Sequence, residues 1–207
     1  MLLLRVRIPD RPGSLGQVAT AMGTVGADIW AIEIVEKSPD GTVTDDFMLS
    51  LPANVMPDSL VAACTALPGV EVTWVSLYPD TWGIESDLEV LDDIAANPRQ
   101  GLQTLTLAAP RVFHCQWAVL AELRDGTRLQ ASELAPELTR EQLNRLVPLD
   151  QLHRQGADDT WLPGWGDMEL AVAPLRGNRL LILGRQGGPR FLDSELLRLR
   201  HLSGIAA

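Results

Sequence analysis

In the stretch IPDRPGSLGQV, residues 8–18, an acid, a proline and a glycine crowd into four positions between the end of an apolar strand and the start of an amphipathic run. A helix beginning there leaves its first backbone N–H groups unpaired and partly positive. Gly13, Ser14 and Leu15 can therefore offer donors to a carboxylate, and Gly13 lets a ligand approach the backbone. Asp10 repels a carboxylate but attracts an ammonium group, so the charge layout is that of a site for a free amino acid. The same residues also fit a turn with no ligand, with Asp10 as a helix cap, Gly13 as a relaxed turn position and a second acid, Asp28, as a plain strand start.

Other residue types capable of chemistry lack supporting context. His114 and Cys115 are expected on a strand, where neighbours point to opposite faces and cannot clamp one metal ion, and His153 and His201 fall in helical or loop contexts without ligand spacing. Asp45 and Asp46 are likewise adjacent on a strand and are expected to diverge as solvated surface. GRQGGPR, residues 184–190, lacks the Lys-Ser/Thr ending of a phosphate loop and has Arg190 where an acyl-coenzyme A loop needs a small residue, so a plain turn is expected. Trp161 and Trp165 in WLPGW are either an aromatic lid over a pocket or, the favoured alternative, cover for the core beneath a long loop. With no nucleophile beside a base, no carboxylate pair in a defined setting and no metal cluster, the chain is expected not to be an enzyme and to need neither metal nor cofactor.

The elements that must position the turn are legible around it. Leu4, Val6 and Ile8 alternate with Arg5 and Arg7 as a strand, and Leu15, Val18, Ala19, Met22 and Val25 recur at helical spacing until Gly26. DIWAIEIVEK and VTDDFMLSL form a hairpin across SPDGT, with Val43, Phe47, Leu49 and Leu51 on one face. A helix after Pro57 carries Leu60, Ala63, Cys64 and Leu67, and VEVTWVSLY closes the series. The order βαββαβ implies a four-stranded antiparallel sheet with both helices on one face, because each crossover is right-handed. The other face, with Trp30 and Trp74 among its strands, is expected to stay open unless a partner buries it.

DRPGSL closing the first strand, GADI opening the second, and this element order together resemble the ACT domain, a regulatory amino-acid-binding module, over roughly residues 2–79. The resemblance implies a ligand held at the interface of two subunits by Asp10, Arg11, Pro12, Gly13, Ser14 and Leu15, with Asp28 and Ile29 at the start of the second strand. Ile8 stands where some serine-binding members carry a polar side chain, which disfavours serine. Domain one is taken as residues 1–80.

YPDTWGIESD breaks the pattern at Pro79 and Gly83, and a second domain is expected over 84–207. Ser86 and Glu89 are spaced as a capping box for a helix through Leu88, Leu91 and Ala95, and LQTLTLAAPRVF supports a second helical stretch that Pro110 interrupts near its end. QWAVLAEL and RLQASEL form a hairpin through Asp125 and Gly126. The segment 133–165 is polar and turn-rich, with a short helical run at TREQLNRL. MELAVAPL and RLLILGR make a second hairpin through Gly177 and Asn178, and a last helix has Asp193 as its N-cap. Helices, hairpin, variable insertion, hairpin and terminal helix, ending GNRLLILGRQGGPRFLDSELLRLRHLSGIAA, resemble a GAF domain over roughly 85–207. Phe191, Asp193, Glu195 and Ala206 occupy the aromatic, capped-helix and small-residue tail positions. No specific ligand is implied for this half. The fold class is therefore α+β, a ferredoxin-like βαββαβ ACT-type domain followed by a GAF-like α/β sandwich.

Composition bounds what such a protein meets. Hydrophobic residues are 46% of the 207 and charged residues 21%, enough for packed cores. The net charge of -10 is spread over both halves, which disfavours nucleic acid and anionic membranes as partners. MLLL is cut short by Arg5 and Arg7, so no signal peptide is read and a cytoplasmic location is expected, with Cys64 and Cys115 as reduced thiols. The expected function is a non-catalytic homodimeric sensor, paired through its ACT-like sheets and binding a small amino acid. The alternative is a ligand-free dimerisation scaffold that docks a partner enzyme or regulator.

Overall fold

The computed structural model describes residues 1–77 and 84–207, with the side chain of Ile84 left aside. The break at Pro79 and Gly83 lies outside the described residues. The chain forms two compact units, Met1–Asp80 and Thr81–Ala207.

The first unit runs β1 (Leu2–Pro9), α1 (Ser14–Thr24), β2 (Asp28–Lys37), β3 (Thr42–Ser50), α2 (Pro57–Thr65) and β4 (Glu71–Leu77). The sheet order is β2-β3-β1-β4 with every pair antiparallel. Leu4, Val6, Ile8, Val43 and Phe47 pack against Val18 and Met22 of α1 and Leu60 and Cys64 of α2, so the helical stripes read from the sequence are the ones buried. Burial is not confined to that face. Leu3 and Met48, register partners on the opposite face, are buried, and so are Arg5 and Asp46 beside them. The expectation of an open second face is therefore corrected. Arg5 is not an outward strand residue: its Nε and Nη2 donate to Asp46 Oδ1 and Oδ2 at 2.7 and 2.8 Å, a bidentate pair that allows two charges to be buried together.

β2 is an edge strand with two register shifts, one at Trp30 and one at Val35. A bulge re-aims the side chain it carries. Trp30 is 66% exposed, with Ile32 and Ile34 also exposed along the same strand.

The second unit runs α3 (Ile84–Ala96), a 3₁₀ turn (Pro98–Gln100), α4 (Gly101–Val112), β5 (Trp117–Glu122), β6 (Arg128–Ala131), α5 (Arg140–Asn144), β7 (His153–Ala157), β8 (Met168–Leu175), β9 (Arg179–Gln186) and α6 (Asp193–Ala206). Its antiparallel sheet has the order β6-β5-β9-β8-β7. One face packs on α3, α4 and α6 through Val90, Leu105, Phe113, Leu199 and Leu202. The other is covered by the inserted segment, through Leu143, Leu146, Trp161 and Leu162 against Trp117 and Ile182. Two close approaches fix this packing. A Cβ on Gly184 would run into the Trp117 ring, and one on Gly101 would lie 2.6 Å from the Ala206 carbonyl oxygen.

Three local expectations change. β7 lies inside the segment read as turns, because its five residues HRQGA lack the alternation that marks a strand and are held by pairing with β8. α3 starts at Ile84, so Ser86 lies in its first turn rather than at its cap. In α6 the N-cap position is Leu192, and Glu195 supplies the cap by accepting the Leu192 amide at 2.7 Å.

Candidate functional site

The sequence places its candidate site where β1 gives way to α1. Gly13 is the N-cap of α1 with φ 92° and ψ -15°, a left-handed conformation that any side chain would strain. Its carbonyl accepts the first helical bond from Gln17 at 3.0 Å, and no side chain caps the helix. The Ser14 amide is taken by the Arg11 carbonyl at 3.2 Å, so one of the three expected donors is already used. The amides of Gly13, Leu15 and Gly16 donate to no group among the described residues. A Cβ on Gly13 would meet nothing within 4 Å, so what this glycine supplies is backbone conformation; the space beside it is open.

Asp10 anchors the turn. Its amide donates to the Gly41 carbonyl at 2.8 Å, and its carboxylate accepts Lys37 Nζ at 3.1 and 3.4 Å. The sequence offered Asp10 as a counter-charge for an ammonium; in the fold that carboxylate faces a lysine across the β2–β3 hairpin. Arg11 and Pro12 are exposed, while Leu15 is partly so. Asp28 and Ile29 are not brought to this end. Pro9 pairs with Thr42 and Asp28 with Ser50, eight residues along β3, so about 27 Å separates the two clusters within one chain. A cavity of about 300 Å³ opens at the Asp28 end, lined by Leu2, Ser50, Leu51, Pro52, Pro57 and Leu77.

Sequence reasoning missed the most unusual polar group of this unit. Asp45 is buried, as is Asp46, so neither is the solvated surface expected of them. Their environments differ. Asp46 holds Arg5, whereas Asp45 Oδ1 is buried without a hydrogen-bond partner among the described residues. Burial raises the Asp45 carboxyl above its ordinary value of 3.8, with Asp46 and Asp10 adding to the rise and Lys37 opposing it. The signal was present in the sequence: in the run Val43, Asp45, Phe47, Leu49, period-two counting puts Asp45 on the core face.

In the second unit, the residues that suggested chemistry are structural. His114 and Cys115 lie in the turn between α4 and β5, not on a strand; His114 has φ 48° and closes the helix, and the Cys115 thiol is buried against the carbonyls of Ala109 and Trp117. Burial pushes Cys115 up to about 12 and Cys64 up to about 11, away from thiolate chemistry. Trp161 is buried over the sheet, and its Nε1 donates to the Gln142 carbonyl at 3.1 Å. Trp165 meets Trp117 edge-on at 6.5 Å between centroids. The two tryptophans therefore fill the space beneath the insertion. A small cavity of about 120 Å³ remains beside Arg145, Gln155 and Asp158.

GRQGGPR is more than a plain turn. Arg185 is fully buried, stacks 4.1 Å from the Phe191 ring centre, and donates to the carbonyls of Phe113, His114 and Pro189 and to Glu195 Oε1 at 2.9 Å. Among the described residues no group of three or more His, Cys, Asp or Glu could hold a metal ion, and no helix is long and apolar enough to cross a membrane.

Neither the protein-family models nor the curated proteins yield a match to this sequence. Among solved structures, a formyltetrahydrofolate deformylase from Pseudomonas putida KT2440 overlaps at TM-score 0.31 and 10% identity, over 46% of this chain and 38% of its own. This chain thus spans well under half of the deformylase's length. An unknown protein from Galdieria sulphuraria overlaps at TM-score 0.31 and 14% identity over 98% of this chain and 91% of its own. A glycine cleavage system transcriptional repressor overlaps at TM-score 0.29 and 11% identity over 94% of this chain and 84% of its own.

Proposed function

We propose that this chain is a non-catalytic regulatory protein whose first unit is an ACT-type, ferredoxin-like module binding a free amino acid between two copies, and whose second unit is a GAF-like domain that relays or braces the change. The observation that carries this reading is the start of α1, where uncapped amides beyond a left-handed Gly13 stand at the positive end of an 11-residue helix. The separation of Asp28 and Ile29 from Asp10–Leu15 within one chain supports a site completed by a second copy. The exposed Trp30, Ile32 and Ile34 on edge strand β2 offer apolar surface and unpaired backbone for that copy. Binding across such an interface couples ligand to association by mass action.

The scaffold alternative draws on the Asp10–Lys37 pair, which already occupies one expected ligand group. Isothermal titration of the full chain with each of the twenty amino acids, alongside its mass in solution, separates the two. A dimer that binds one of them supports the sensor. A dimer silent to all twenty, with an unchanged melting temperature, supports the scaffold, and a monomer overturns both.

A further inference from the structure

Two buried polar atoms that have no partner among the described residues belong to the core face beneath α1. Asp45 is 1% exposed with Oδ1 unpartnered, and Ser14, the first residue of the helix, is 6% exposed with Oγ unpartnered. Asp45 stands opposite Val6 and Ile34, between Val43 and Phe47, on the face that α1 covers through Ser14, Val18 and Met22. The charges that act on it are Asp46, next along its own strand, and Asp10 from the β1–α1 turn and Lys37 from β2, these last two toward the end where α1 begins. A buried carboxylate oxygen with no donor is costly, and folded proteins keep such groups where a ligand supplies what the chain does not.

We infer that Asp45, together with Ser14 Oγ, is the acceptor for the α-ammonium group of the ligand, while the free amides of Leu15 and Gly16 take its carboxylate. This assignment rests on the amino-acid-binding reading above and moves the ammonium from Asp10 to Asp45. Asp10 and Lys37 are both exposed and hold each other at 3.1 Å, a surface pair that is readily broken. Opening it admits a ligand and leaves Lys37 to join the carboxylate side. An ammonium donates to both atoms the chain leaves unmatched, and an uncharged hydroxyl at the same place cannot neutralise Asp45. The site therefore selects α-amino acids over their α-hydroxy acid analogues.

The test is isothermal titration of the full chain with the twenty amino acids, and with the α-hydroxy acid analogue of whichever binds. The wild type is expected to prefer the amino acid at least tenfold. Asp45→Asn is expected to weaken it at least tenfold and bring the two compounds within threefold of each other. Asp45→Ser serves as a second neutral replacement if circular dichroism shows Asp45→Asn unfolded. Wild-type binding that neither replacement weakens, or equal wild-type affinity for both compounds, overturns the role of Asp45 and leaves the amino-acid reading standing. Silence of the wild type to all twenty overturns both.

Discussion

The two units each bury an acid near the start of a helix, and they treat it in opposite ways. Glu195 accepts from the Leu192 amide and from Arg185, and Arg185 spends its remaining donors on three carbonyls. Asp45 lies near the start of α1 with an oxygen that nothing among the described residues addresses. A buried acid whose hydrogen bonds are met locks a turn to a helix, whereas one left short is a standing cost that a ligand can remove. The difference separates a joint from a site, and it follows from partners rather than from residue type.

Breaking the satisfied side should have the largest effect. Arg185→Met leaves Glu195 buried without its guanidinium partner, and should cost about 3–5 kcal/mol, read as a lower urea midpoint by circular dichroism. Trp161→Ala opens a cavity against Trp117 and Ile182 and should cost a similar but smaller amount, about 3 kcal/mol, with the same measurement.

Asp45→Asn should go the other way. Replacing an unpaired buried charge with a neutral amide should raise stability by about 1–2 kcal/mol near neutral pH without ligand. The pH dependence sharpens the comparison. Because the Asp45 carboxyl is raised in the folded state, its penalty is absent below the ordinary value of 3.8 and grows as pH rises through the raised one. Melting curves of wild type and Asp45→Asn should therefore coincide at low pH and separate upward. Asp87, also raised by burial, contributes equally to both proteins and cancels. Smallest of all, Asp10→Asn should change stability by less than about 1 kcal/mol, because its pair with Lys37 is exposed; a larger loss would make Asp10 a structural joint after all.

Much of the frame was readable before any coordinates. DIWAIEIVEK and MELAVAPL are strands over the residues their patterns marked, and the stripe Val18, Met22, Leu60, Cys64 is the one buried. The candidate site was only partly legible. Gly13 was read as a turn glycine, but its left-handed conformation and the partners of Asp10 and Ser14 did not show. Asp45 was misread because two adjacent acids look like surface, although its place in an alternating apolar run argued otherwise. β7 was missed for the converse reason, since polar residues at an edge take their strand from a neighbour.

The sequence by itself determined the order of elements in the first unit, the helical and strand faces that meet in its core, and a glycine turn ahead of α1. These depend on local backbone preference and on the period of apolar residues, both of which are properties of neighbours along the chain. Only the tertiary structure decided which charges are paired. Arg5 with Asp46, Lys37 with Asp10 and Arg185 with Glu195 are separated by 41, 27 and 10 residues, and Asp45 was left without a partner among them. Whether an acid is a joint, a surface group or a binding site depends on solvent and partners brought from far along the chain, which no local pattern encodes.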